Sequence, residues 1–570
     1  MTFSQLSQYL QKLEETASRN TMTEILADLF SRAGKEEIGK LCYLLQGRVA
    51  PLYDPIEFGV GDKLMIRAIG KAYGAEDEKV KRAFGKFGDL GAAAQQVSNQ
   101  ELRIRNQGKK INVEDVYEKL LAITGMGGEG SQEKKIEALA QLLSSVDALS
   151  VRYLVRVPLD KLRLGFSDMT ILDALSWVLM GDKSLRGRLE EVYNIRPDIG
   201  LLATQIKAHG VAGLSHVKAT VGAPIVASLC QRLPTADEMI NKMGEVAVEP
   251  KYDGVRCQIH FQKSGVKTFS RNLENTTAMF PELQKIGRQL HAHDVILDSE
   301  AVGMDPATGK LIPFQETSTR KRKHDIAASL LKVPLKFFVF DILYKDGIDL
   351  LNKPLSQRRD ILEQTVKSGT LLTISPQIVT DKPVEIRRFH DTQIAKGLEG
   401  VVVKKWRSPY EPGRRGYSWV KFKEEEGKTG KLTDTIDAVV MGYYRGEGKR
   451  AGFGIGAFLV GVRKHDSFVT VSKIGTGVSD ELWKDLKKDF SRLSSVVRPK
   501  EYGEVPKALI PDVWINPKIV VEVAGDDLTK SSTHGADIAI RFPRLVRIRT
   551  DKSPAQTTTV GEVEKMYREQ

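Results

Sequence analysis

The spacing of the apolar residues changes once along this chain of 570 residues, near position 222, and no other feature constrains its fold as much. Before that point the apolar residues recur at helical spacing. Met22, Ile25, Leu26, Leu29 and Phe30 make one amphipathic face, and Ile136, Leu139, Leu142 and Leu143 another. From Val246 to Lys423 the chain is strand-rich, with runs at 266–270, 295–297, 335–343, 400–405 and 417–423 and helical segments near 275–291 and 354–366. A charged, glycine-flanked stretch, 424–430, reads as a hinge. Short strands at regular spacing follow, at 437–443, 457–462, 468–473, 518–524 and 545–549, and the pattern predicts a small β-barrel with a closing helix near 560–568. The predicted class is multidomain α+β: an all-α domain over 1–221, a central α/β domain with antiparallel sheets over 222–427, and a β-barrel over 428–570.

Charge points to the partner. The net charge is +13 and the pI near 9.3, which suits a polyanion, nucleic acid first and acidic membrane second. Cys42, Cys230 and Cys257 lie far apart, which excludes a four-cysteine zinc site and a disulfide framework and fits a reducing cytosol. No apolar run is long enough to span a bilayer, and the first residues lack a signal-peptide core, so a cytoplasmic protein is expected.

Two glycine motifs carry little. Gly125-Met126-Gly127-Gly128-Glu129-Gly130 fits a dinucleotide pattern but follows a helical segment, so a helix–helix loop is expected. Gly427-Lys428-Thr429 looks like the end of a P-loop, yet Phe422 stands where its first glycine belongs.

The stretch Glu249-Pro250-Lys251-Tyr252-Asp253-Gly254-Val255-Arg256 carries more. Asp253-Gly254 between two apolar segments is a hairpin signal. Such a hairpin sets Lys251 opposite Arg256 and Glu249 opposite Gln258, with all four on one face. A lysine beside an arginine is pushed towards its neutral, nucleophilic form. Other strand ends offer matching groups. Arg271 ends one strand, Asp298 and Glu300 end another, and Phe340 sits in an apolar run. Glu399 precedes the buried run Val401-Val402-Val403 and needs a partner, for which a divalent ion would serve. Lys421 and Lys423 share one strand face, where like charges make sense around a phosphate, and Arg414 and Arg415 lie just upstream.

In that order these segments resemble the nucleotidyltransferase motifs of ATP-dependent DNA ligases, closest to the three-domain archaeal and eukaryotic replicative type. The resemblance extends over nearly the whole chain. Gly88-Asp89-Leu90-Gly91 and Leu162-Arg163-Leu164-Gly165 are similar to turns of that family's helical DNA-binding domain. Pro511-Asp512-Val513-Trp514, Val520-Val521-Glu522-Val523 and the run from Arg541 to Lys552 are similar to its OB-fold domain. The resemblance implies that 222–427 is an adenylation domain in which Lys251 attacks the α-phosphate of ATP and carries AMP. It implies that Glu249 reads the adenine amino group and Phe340 stacks on the ring. Arg256 and Arg271 would contact the nucleotide and the DNA 5′-phosphate. Glu300 would bind ribose and, with Glu399, Mg²⁺; Arg415, Lys421 and Lys423 would hold phosphate charge. Arg541, Arg544, Asp551 and Lys552 would orient the pyrophosphate. The implied partner is nicked duplex DNA, met by a monomer in a prokaryotic cytoplasm, beside the nucleoid.

Ser299 stands where the family commonly has glycine. A glutamine-led clamp-binding motif ending in paired aromatics is missing: Gln95-Gln96 runs on without aromatics, and Phe337-Phe338 falls in a buried strand. Lys321-Arg322-Lys323 reads as a loop near DNA rather than a nuclear signal. An RNA ligase or capping guanylyltransferase shares the lysine chemistry, but the long helical domain in front favours the DNA enzyme. An NAD-dependent ligase would carry a four-cysteine zinc module, and an inactive DNA-binding scaffold would need none of these residues.

Overall fold

The computed structural model describes residues 1–101, 111–162, 164–305, 308, 310–312, 334–413, 416–422, 434–446, 450 and 453–568. Arg163, the basic run at 321–323, Arg414, Arg415, Lys423 and the expected hinge at 424–430 lie outside them. The chain divides into two compact units, Met1–Lys423 and Glu424–Gln570.

Twelve α-helices, from Phe3–Glu14 to Ile199–His209, open the first unit among the described residues. Met22, Leu26, Leu29 and Phe30 of one helix and Ile136, Leu139, Leu142 and Leu143 of another enter one apolar core that extends from Phe3 to Val217. The faces read from the sequence are therefore the buried ones. Caps set the helix ends: Asp147 accepts the N–H groups of Leu149 and Ser150, and Asp198 that of Leu201. Gly88 ends the helix Asp77–Phe87 at φ 65°, and Arg156 grips Asp89 just beyond it. The glycines at 125–130 join two helices, as expected.

After the helices come two sheets. One holds β1 (Gln231–Arg232), β2 (Val246–Pro250), β9 (Ile378–Thr380), β10 (Val401–Lys405) and β11 (Trp419–Phe422) in the order β1-β11-β10-β2-β9. The other holds β3 (Val255–Gln262), β4 (Gly265–Ser270), β5 (Asp294–Gly303), β6 (Leu335–Lys345), β7 (Ile348–Asp349) and β8 (Leu372–Ile374), ordered β4-β3-β5-β6-β7 with β8 parallel to β6. The helices Ala236–Met243 and Pro383–Ala395 cover the first sheet through Val246, Val248, Val401, Val403, Val420 and Phe422. Ile296 and Leu343 of the second sheet meet Trp419 of the first in a smaller core between them. The helical segment expected near 275–291 is present as 3₁₀ turns, Thr277–Met279 and Pro281–Gln289, and Leu355–Thr365 is α-helical.

The hairpin expected at Asp253-Gly254 does not form, because β2 and β3 belong to different sheets. Both edges of β2 are occupied, by β10 and β9, and both edges of β3, by β4 and β5. These long-range ladders bury far more apolar surface than a local hairpin, so tertiary pairing overrides the turn signal. Neither Asp253 nor Gly254 has the positive φ that a tight hairpin turn needs. Glu249 lies opposite Val402 instead of Gln258, and Arg256 opposite Glu300 instead of Lys251.

Gly254 serves close packing. A Cβ there would lie 2.5 Å from the Ala301 carbonyl oxygen and 2.9 Å from Glu300 Cγ. Gly254→Ala is expected to push β5 and Glu300 out of place. Enzyme adenylylation should then fall on the order of 10²-fold while the helical core melts unchanged, the scale for a reacting group displaced by about 1 Å. Wild-type labelling of the variant would refute this.

The second unit is a β domain built around β12 (Ile436–Tyr444), β13 (Ala457–Lys464), β14 (Ser467–Ile474), β15 (Ser494–Ser495), β16 (Val513–Ile515), β17 (Val520–Ala524) and β20 (Arg544–Ile548). The strands expected at 437–443, 457–462, 468–473, 518–524 and 545–549 are β12, β13, β14, β17 and β20. Their ladder stays open among the described residues. A separate ribbon, β18 (Asp527–Lys530) and β19 (Ile538–Arg541), packs Leu528, Ile538 and Ile540 into the same core. Loop contacts bring the ends together: Ala536 N–H donates to Thr470 O at 3.1 Å and Leu545 N–H to Thr476 O at 3.0 Å. The closing helix is Val560–Arg568.

Candidate active site

Strand alternation divides β2, β10 and β11 into two faces. Val248, Val401, Val403 and Val420 point to the covering helices. Glu249, Val402 and Lys421 lie in line across the other face, as do Ala247, Lys404 and Trp419. Lys251 continues this alternation past the end of β2. Its N–H donates to Gly400 O, and the Glu399 N–H donates to its carbonyl. This backbone pairing brings the Lys251 ammonium onto Glu399 Oε2 in a partly buried ion pair. The neighbour predicted for Lys251 was a guanidinium; the neighbour it has is a carboxylate.

The facing sheet supplies Arg256, Asp298, Glu300, Phe338 and Phe340. Arg256 donates to Asp298 through Nε at 3.0 Å and Nη2 at 2.6 Å, and to the Ser228 carbonyl through Nη1. Burial works against its charge, but Asp298 and Tyr410 hold it above its ordinary value. Burial pushes the Glu300 carboxyl up to about 7, against the pull of Arg256 and Lys251. Folded Glu300 thus keeps a proton that the unfolded chain releases at lower pH. Its contribution to stability is present below the ordinary carboxylate range and is lost as pH rises through about 7. Chemical denaturation should show Glu300→Gln gaining on wild type across that window; a constant difference would contradict the assignment.

Glu249 is 2% exposed, and its Oε2 accepts a hydrogen bond from Lys404 Nζ at 2.8 Å. Its other oxygen, Oε1, is buried without a hydrogen-bond partner. An orphaned buried acceptor beside an aromatic ring is what a nucleobase amino group would satisfy. The ring is Phe340, approached by Arg256 at 5.4 Å and by Lys404 at 4.4 Å. Glu249, Arg256 and Phe340 are therefore brought together. Tyr252 is buried too, stacked on Phe338 with centroids 4.2 Å apart.

Arg271 is exposed at the end of β4, where Ser270 lies opposite Cys257 at the Arg256 end of β3. Arg415 and Lys423 fall outside the described residues. In the second unit, Lys552 donates to Asp437 at 2.5 Å, Asp551 pairs with Arg549, and Arg544 pairs with Asp526. Arg541 lies over Phe542, which adopts φ 50° in the turn between β19 and β20. The sequence gives no role to Lys404, and it offers Asp298 as a strand-end carboxylate without pairing it to Arg256. The rule that drew attention to Glu399, a charge bordering an apolar run, applies equally to Lys404 at the far end of Val401-Val402-Val403.

Comparison with known proteins bears on this arrangement. Residues 2–176 match the family described as DNA ligase N terminus, 227–423 the ATP dependent DNA ligase domain, and 451–552 the ATP dependent DNA ligase C terminal region. A probable DNA ligase of Dictyoglomus thermophilum is 42% identical over 581 residues, covering 100% of this chain and 98% of its own. The chain belongs to the ATP-dependent DNA ligases. A DNA ligase of Pyrobaculum islandicum is 39% identical over 588 residues, covering 100% of this ligase and 99% of its own length. Among solved structures, Pmar-Lig_PreS3 shares the fold at TM-score 0.54 and 16% identity, over 95% of the ligase and 99% of that chain. Ligases of this family seal 5′-phosphate/3′-hydroxyl nicks in duplex DNA. They do so through a covalent lysine–AMP and an adenylylated 5′-phosphate, converting ATP to AMP and pyrophosphate. No helix among the described residues of the ligase is long and apolar enough to cross a membrane.

Proposed function

We propose that Lys251 is the nucleophile of this ligase and that the cleft between the two sheets is its adenylation site, within a chain divided into DNA-binding (1–221), adenylation (222–427) and OB-fold (428–570) domains. The observation that carries the reading is the orphaned Glu249 Oε1, two residues from Lys251 and beside Phe340. Adenine offers the donor that Oε1 lacks, and Phe340 offers a surface for stacking. With the base held there, the ribose and α-phosphate extend along the cleft towards Lys251.

In the first step the Lys251 ammonium passes a proton to Glu399, its hydrogen-bond partner, and the neutral Nζ forms a bond to the α-phosphorus as the bond to the pyrophosphate oxygen breaks; pyrophosphate leaves and the second Nζ proton goes to solvent. Glu399 fixes Nζ beforehand, and Arg256 and Lys421 contribute positive charge where phosphate charge develops. The AMP then passes to the DNA 5′-phosphate, and the 3′-hydroxyl displaces it to close the nick. Arg271, Arg415 and Lys423 are assigned to phosphate contacts. Arg541, Arg544, Asp551 and Lys552 are assigned to orienting pyrophosphate in the first step.

Mg²⁺ fits the site in a limited way. No group of three ligating side chains occurs among the described residues. Glu300 and Glu399 are both within the electrostatic reach of Lys251, and one or two carboxylates suffice for this ion when phosphates and water complete the shell. When bound, Mg²⁺ would neutralise charge on the transferring phosphate. Nicked duplex DNA is the partner, and we assign the active form as a monomer in the cytoplasm.

The reading is tested by peptide mapping after incubation with ATP and Mg²⁺. The expected adduct is a single AMP on the peptide containing Lys251. An adduct on another lysine would reject the assignment of nucleophile.

A further inference from the structure

Lys404 is 1% exposed, yet it is a lysine. Its ammonium lies 2.8 Å from Glu249 Oε2, 4.4 Å from the Phe340 ring centre and 4.3 Å from that of Trp419, with the Phe340 carbonyl at 3.5 Å. So buried a cation is stable only where its charge is answered, and here one carboxylate oxygen and two aromatic faces answer it. We infer that Lys404 is a positioning residue that sets nucleobase specificity: by saturating Oε2 it holds Glu249 as a carboxylate whose buried Oε1 can only accept a hydrogen bond. This rests on the proposed reading that Glu249 and Phe340 hold the base.

The chemistry is that of a one-sided reader. A 6-amino purine donates to Oε1, whereas a 6-oxo purine presents a second acceptor and leaves two buried acceptors facing each other. A site built on such a contact rejects the mismatched analogue strongly, by about 10⁴-fold when nothing else compensates. Without Lys404 the balance changes. Burial already pushes the Glu249 carboxyl up, with Lys404 pulling it down first, Arg359 next, and Asp341 pushing the other way. With an uncharged residue in place of Lys404, Glu249 takes a proton more readily, and a protonated carboxyl can donate to a 6-oxo group. Specificity then relaxes, and relaxes more at lower pH. Lys404 also lies against both the Phe340 and Trp419 rings, so the same residue aligns the stacking surface and the hydrogen-bonding edge.

The test is single-turnover adenylylation of the full-length ligase with α-labelled ATP and α-labelled ITP, which differ at the purine 6-position, from about pH 6 to about pH 8. Wild type and Lys404→Arg should prefer ATP strongly, with a ratio flat in pH. Lys404→Met should narrow the ratio by about tenfold or more, with ITP labelling rising as pH falls. Lys404→Gln keeps a donor to Oε2 without its charge and should also narrow the ratio; it decides the matter if the methionine variant does not fold. Equal loss with both nucleotides at every pH, in either variant, would overturn the inference and leave Lys404 a structural residue. Glu249→Gln separates the two levels. If it leaves the ATP:ITP ratio unchanged, the base-reading site itself is wrong. If it collapses the ratio while the Lys404 variants do not, the role of Lys404 alone fails.

Discussion

Lys251→Ala is expected to abolish covalent labelling with α-labelled ATP and Mg²⁺. Overall nick sealing should fall on the order of 10⁶-fold, the scale on which enzymes lose rate when a nucleophile is removed. The reason is local. Lys251 Nζ is held by Glu399 at a strand end fixed by two backbone hydrogen bonds, to Gly400 and from Glu399, and no alanine can occupy that role chemically. The loss should be confined to the first step. A nick whose 5′-phosphate already carries AMP needs no lysine nucleophile, so the variant should still close it. Denaturing gels for the labelled protein and for the sealed strand read both halves. Residual labelling close to wild type would remove Lys251 from the mechanism, and a failure to close the adenylylated nick would indicate a misfolded site rather than a missing nucleophile.

Arg358→Met is expected to have the largest effect on stability. Arg358 is 0% exposed and grips Asp341 through Nε at 2.8 Å and Nη2 at 2.9 Å. It also donates to the carbonyls of Lys353 and Ser408, which ties the helix Leu355–Thr365 to the loop before β11. Removing it leaves the Asp341 carboxylate buried and deprived of its cation, a change that costs about 3–5 kcal/mol. Because Asp341 adjoins Phe340 on β6, denaturation and the loss of labelling should move together. Removing both charges as Arg358→Met with Asp341→Leu should recover much of the stability, since two apolar groups of similar size leave no orphaned charge. A double variant no better than the single one would show that the carbonyl contacts of Arg358, not its ion pair, carry the effect.

The sequence exposed the helical domain clearly because an amphipathic helix writes its core face locally. Met22, Leu26, Leu29 and Phe30 are buried in the structure for the same reason that they recur in the sequence. The longer strands of the central and C-terminal regions were equally legible. Shorter ones, such as β15, β18 and β19, were not, since a run of two to four residues has no period to read. Among the site residues, Glu249, Lys251, Arg256, Glu300, Phe340 and Glu399 were named from residue type and order. Their neighbours were not. Lys404 escaped notice because its partner Glu249 is 155 residues away in the chain, and the pairing of Asp298 with Arg256 because nothing local ties the two.

By itself, then, the sequence determined the chemical inventory of this ligase, its order along the chain and the change from helix to strand. Tertiary structure alone decided which of those groups meet. It placed Lys251 and Arg256 on separate sheets, against the local signal of Asp253-Gly254, and turned Lys251 towards Glu399 and Arg256 towards Asp298. The physical reason is that strand pairing is settled by burial of apolar faces between segments far apart in the chain, a quantity no short motif contains.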